Sequence, residues 1–321
     1  MPAPDDVTRS RGFGISRIFM TGNVLRAGWR LLIFVILLLG CQTLLQVVIL
    51  RLLPNLVAGV LAIEKGNFSP LSLLTIEIVN LLSVLVALRV MAKIEARPVS
   101  AYGFSRTGAI GRLFWEGVLW GATMVTVFYL LLDVEGAFSL GSLAVRGWTA
   151  VADGLLYGLG TLLVGFYEES VFRGYAQFTL SSAIGFWPAA GVVSLLFGLV
   201  HLADTFYSWQ GVVSAALYGI VFSLALRRTG SLWLGIGFHS AVDYAETFLF
   251  SPPTARTTTY GHLFNCALHG PAWLTGGSVG PEAGLNGLVL FLVVLGLFHL
   301  VHPPRESLPA KSLWFILKRL C

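Results

Sequence analysis

The chain has 321 residues, of which 56% are hydrophobic and only 12% charged, with a net charge of +5 and a mean hydropathy of +0.80. Soluble domains carry about 25% charged residues, so a water-soluble globular domain is excluded and a polytopic membrane protein is expected. Three cysteines (Cys41, Cys266 and Cys321) lie far apart without a C-x-x-C pair, which excludes a disulfide framework and a zinc knuckle.

The first thirty residues are polar and mixed (M-P-A-P-D-D-V-T-R-S-R), and no signal-peptide h-region is expected there. Crossing the hydrocarbon core takes about 20 mainly apolar residues. The hydropathy pattern predicts about eight such helices: Leu31–Ile49, Leu71–Val90, Leu113–Leu132, Trp148–Tyr167, Ala189–Leu202, Gly211–Leu226, Ser231–Phe250 and Leu285–Val301. The fold class expected is therefore an all-α polytopic membrane protein.

Lysine and arginine set the orientation. Of 21 such residues, all but Arg51, Lys65, Arg146 and Arg256 fall in the two tails or in alternate loops on the same side. This places both termini in the cytoplasm and makes the positive charge a topology signal, so no nucleic-acid partner is expected. A Gly/Pro-rich stretch from Ser251 to Asn286 reads as a long non-cytoplasmic loop. The terminal S-L-W-F-I-L-K-R-L reads as an interfacial helix.

Ionisable residues at bilayer depth mark functional sites. Glu77 (with Asn80), Glu116 and Asp153 are scattered singly and read as helix-packing or interfacial groups, as do His262, His269, His299 and His302. The stretch Y-E-E-S-V-F-R-G-Y is different. Glu169 and Arg173 stand four apart with the acid first, the better order for an ion pair on a helix. Glu168 points about 100° away from Glu169, so one carboxylate can hold the arginine while the other acts.

Two further motifs follow. F-G-L-V-H places Phe197 and His201 on one helical face, and F-H-S-A-V-D places His239 and Asp243 four apart, with Glu246 three further on. Glu168 and His201 are 33 positions apart, so a hairpin that joins them must turn near Gly185. Each arm is then about 24 Å long, which requires the fourth helix to run past Tyr167 or the hairpin to project from the bilayer.

The ordered trio E-E-S-V-F-R, F-G-L-V-H and H-S-A-V-D resembles the CPBP family of intramembrane proteases, which takes in the CAAX prenyl endopeptidases and Abi-type bacterial proteins. Its pattern EExxxR, FxxxH and HxxxN or HxxxD is matched in all three parts. The resemblance implies Glu168, His201, His239 and Asp243 as catalytic residues, with Glu169, Arg173 and Phe197 in support. It implies a core over residues 148–250, preceded by an N-terminal tail (1–30) and helices (31–147). The outer loop (251–286) and the last helix with its tail (287–321) follow.

The activity so implied is hydrolysis of a peptide bond in a membrane-associated, prenylated or leader-type substrate, with a bacterial plasma membrane as the setting. A glutamate-type mechanism makes Glu168 the general base, helped by His201, and needs no cofactor. Asp243 stands where many members have Asn, and an ionised aspartate donates no hydrogen bond. Zinc held by Glu168, His201, His239 and Asp243 is the alternative, that of a metalloprotease. Two other classes share the topology: a proton-coupled transporter, and a non-catalytic immunity or interaction protein.

Overall fold

The computed structural model describes residues 20–21, 24–52, 67–104, 108–203, 209–253, 258–277 and 279–304. The N-terminal tail up to residue 19 and the expected interfacial helix at the other terminus lie outside the described residues.

Each of the eight expected segments is a helix. They are α1 (Ala27–Leu52), α2 (Pro70–Ile94), α3 (Arg112–Val134), α4 (Gly147–Ile184), α5 (Phe186–Val200), α6 (Trp209–Thr229), α7 (Trp233–Tyr244) and α8 (Leu285–Val301). Five of them (α1 to α4 and α6) are long and apolar enough to cross a membrane, while α5 and α8 are shorter apolar helices. The protein is an all-α polytopic membrane protein. Its surface agrees: Ile36 is 61% and Leu44 64% exposed on α1, and apolar side chains in such numbers are stable outside only against lipid.

The helices pack as a layered bundle in which α7 is the centre. Trp233 to Ser240 are buried without a break, as expected of a helix with no solvent or lipid face. It packs against α3 and α4. Glycines set the α3–α7 separation, since a Cβ at Gly117 would run into the Leu234 carbonyl and one at Gly237 into the Phe114 carbonyl. Small residues at such crossings let backbones approach where hydrophobic collapse offers no driving force.

The fourth helix departs from the sequence expectation. It does not end at Tyr167 but continues to Ile184, 38 residues in all, or about 57 Å at 1.5 Å per residue. That exceeds the roughly 30 Å hydrocarbon core, so the helix runs beyond it. A π-helical turn, Ser170–Ala176, interrupts it directly after Glu169. The widened turn carries Arg173, Gly174 and Tyr175 inward in succession. Gly185, at φ +86°, then reverses the chain into α5, at the position the hairpin requires.

The far end of α4 is fastened by polar contacts. Arg30 donates to Glu95 (3.1 Å) and Ser182 (2.7 Å), and the Tyr175 hydroxyl donates to Glu95 at 2.6 Å. These bonds tie α1, α2 and α4 together. At the opposite end the long loop folds back on the bundle: Phe138–Ser139 pairs antiparallel with Ala267–Leu268, and Tyr157 donates to the Tyr260 carbonyl.

Candidate active site

The site lies where α4, α5, α6 and α7 meet. Glu168 and Glu169 end the α-helical part of α4, His201 follows α5, and His239 and Asp243 face the same region from α7. A second π turn, Ala245–Leu249, follows Tyr244. Both π segments thus begin within two residues of a site carboxylate, and π-bulges concentrate at functional sites.

His239 is the hub. Its Nε2 is 3.5 Å from Glu168 Oε2 and 3.6 Å from Asp243 Oδ2, and its Nδ1 is 3.4 Å from Glu169 Oε1. Carboxylate oxygens face both ring nitrogens, an environment satisfied on both sides by an imidazole that carries both protons. Of these, the Nδ1–Glu169 contact is a long hydrogen bond, and stacking also holds the ring. Phe222 lies parallel to it at 5.2 Å.

The two adjacent glutamates have different surroundings. Glu169 accepts from Arg173 at 3.0 Å, with side-chain exposures of 1% and 0%. The guanidinium also sits 4.1 Å from the Phe197 ring centroid and 5.3 Å from that of Phe222, so aromatic faces complete its coordination. Glu168 keeps 23% of its side-chain surface. The rotation between neighbouring residues gives them different exposure and partners, although both carboxylates meet His239.

His201 Nδ1 lies 2.7 Å from the Phe197 carbonyl. A carbonyl can only accept, so Nδ1 carries the proton of this bond. With His239, Asp243, Phe197 and Glu246, His201 lines a polar cavity of about 130 Å³. Glu282, brought in by the outer loop, completes that lining, and its carbonyl accepts from Ser214 at 3.0 Å.

Sequence reading missed Phe222 and Glu282. Nothing in α6 distinguishes Phe222 from its apolar neighbours, and Glu282 sits in a loop without periodicity. Glu116 and His302, expected to be structural, pair at 2.7 Å away from this cluster. Among the described residues no group of three or more His, Cys, Asp or Glu is arranged to hold a metal ion. Glu168, His201, His239 and Asp243, the residues of the zinc alternative, form no such group in this arrangement.

Fold and site together define a polytopic membrane protein with a polar cluster buried among its helices. Residues 148–245 match the family described as type II CAAX prenyl endopeptidase Rce1-like, which bears out over that segment the resemblance carried by the three motifs. The chain is also 23% identical over 142 residues to lysostaphin resistance protein A of Staphylococcus haemolyticus (strain JCSC1435). That match covers 41% of this chain and 39% of the relative. No solved structure matches the chain.

Proposed function

We propose that the protein is an intramembrane endopeptidase of the glutamate type. The observation that carries this reading is the Glu168–His239 contact, made while the neighbouring Glu169 is sealed against Arg173. Glu168 is then the carboxylate left to act, with the His239 ring beside it.

In the reaction, Glu168 takes a proton from water, and the resulting hydroxide attacks the scissile carbonyl. Glu168 returns the proton to the leaving nitrogen as the C–N bond breaks. His201 presents Nε2 as a second acceptor for the water, and His239 supplies N–H donation to the developing oxyanion. Asp243 acts on His239 by orienting it, because its oxygen faces the ring nitrogen at 3.6 Å.

The substrate class is a membrane-associated peptide or protein bearing an apolar moiety. Support comes from an apolar cavity of about 770 Å³ between α3, α4 and α7, lined by Trp115, Val118, Leu155, Leu159 and Tyr244 and reaching Ser240, the neighbour of His239. The distribution of Lys and Arg supports a multi-pass orientation with both termini cytoplasmic, and a bacterial plasma membrane is the setting proposed.

The test compares the membrane peptides of cells that express the wild type with those of cells expressing Glu168→Ala. Peptides trimmed only by the wild type are expected. Identical peptide sets under matched expression would reject the protease reading and leave a binding or transport role.

A further inference from the structure

Glu77 belongs to α2, outside the segment that carries the family match. It is 7% exposed in a helix long and apolar enough to cross the membrane. Its Oε1 accepts from Asn80 at 3.1 Å. Its Oε2 is sealed from solvent and has no hydrogen-bond partner among the described residues.

A polar chain leads from it to the site. Asn80 Oδ1 accepts from Gln42 at 2.9 Å, and the same Gln42 nitrogen donates to the Tyr167 hydroxyl at 2.9 Å. Tyr167 is the residue before Glu168. The titratable groups within electrostatic reach of Glu77 are Glu168 and Tyr167 on α4 and His239 and Asp243 on α7.

An ionised carboxylate with one unpaired oxygen in the membrane interior is among the most costly arrangements available. Two carboxylates that feel each other's charge through a low-dielectric interior resist ionising together. If Glu168 is the one that is charged, Glu77 is the one that is neutral.

We propose that Glu77 is a proton-holding acid of the site, coupled electrostatically to Glu168 across the α2–α4 contact. It touches no substrate and acts on Glu168 through charge, as a positioning residue. The coupling rests on Glu168 being ionised, as the protease reading requires, but the test below does not depend on cleavage.

The probe is dicyclohexylcarbodiimide, an apolar reagent that attacks protonated carboxyl groups. The acid's proton moves to a carbodiimide nitrogen as the carboxylate oxygen bonds to the central carbon. The O-acylisourea so formed rearranges to a stable N-acylurea, with no oxidant or leaving group needed.

Purified full-length protein in detergent is labelled across a pH series from about 5 to 9, and the adduct is located by mass spectrometry. Glu77 is expected to be modified at neutral pH, with labelling falling at alkaline pH. In Glu168→Gln the negative neighbour is gone, so Glu77 releases its proton earlier. The labelling midpoint should move to lower pH by about half a unit or more.

Absence of an adduct on Glu77 at neutral pH would overturn the proton-holding role. An adduct whose midpoint is the same in Glu168→Gln would overturn the coupling. Loss of the adduct in Glu77→Gln, with the protein still monodisperse and its thermal midpoint unchanged, confirms the position. Failure of the protease reading appears separately, as absence of trimmed peptides with Glu77 labelling intact.

Discussion

Glu169 and Arg173 form an ion pair at 3.0 Å with both side chains sealed from solvent. The pair sits at the junction where α4 changes from α to π geometry, and it separates a sealed carboxylate from the partly exposed one beside it. Arg173 NH2 also lies where a Cβ on Gly219 would meet it at 2.9 Å, so the guanidinium is clamped by α6 as well.

Glu169→Ala should therefore lower the amount of folded protein. Breaking a buried pair costs about 3–5 kcal/mol because it leaves the other charge uncompensated. Detergent-solubilised yield and thermal midpoint should both fall. A variant with wild-type yield and midpoint would mean that water reaches the pair.

Glu168→Gln should behave in the opposite way. The amide keeps the shape but cannot take a proton from water, so cleavage should fall by about 10²–10⁴-fold, the range associated with a general base. Yield and insertion should stay near wild type, since this side chain is partly exposed and holds no arginine. Cleavage within a few-fold of wild type would remove Glu168 from the base role.

Asp243→Asn separates the two mechanistic classes. In the metal-free reading the amide still faces His239 and adds a donor, so activity should be retained or raised, and chelator dialysis should leave it unchanged. A zinc ligand at this position would lose affinity on the same change. Loss of activity restored by added zinc, with stoichiometric metal by elemental analysis, would overturn the metal-free reading.

Gly237→Leu tests the packing that positions His239. A side chain here must displace the Phe114 carbonyl and separate α3 from α7. Size-exclusion profiles should show aggregated or absent protein. A monodisperse, active variant would show that α7 can shift without disturbing the site.

Several of these features were legible in the chain itself. Segments of membrane-crossing length are a local property, and each of the eight expected helices forms. The Glu169–Arg173 pair was equally legible, because its spacing is a fact of one helix. The turn at Gly185 followed from counting residues between two motifs.

What joins one helix to another was not legible. In a membrane bundle both the buried and the lipid-facing sides are apolar, so periodicity does not reveal which face points inward. In α5, Ala189, Val193 and Phe197 are buried while Val192, Leu195 and Leu199 are exposed, and no polarity distinguishes the two sets. Glu77 read as a scattered packing group because its nearness to Glu168 depends on how α2 lies against α4. His239 read as one of two histidines, and only the tertiary structure set carboxylates against both of its nitrogens.

The sequence by itself determined the helices, the motifs and their order, since these depend on neighbours along the chain. The tertiary structure alone decided which glutamate is sealed, that three carboxylates surround His239, and that Glu282 reaches the cavity from the outer loop. Those are relations between surfaces, set by where glycines let helices approach and where a π turn redirects the side chains that follow.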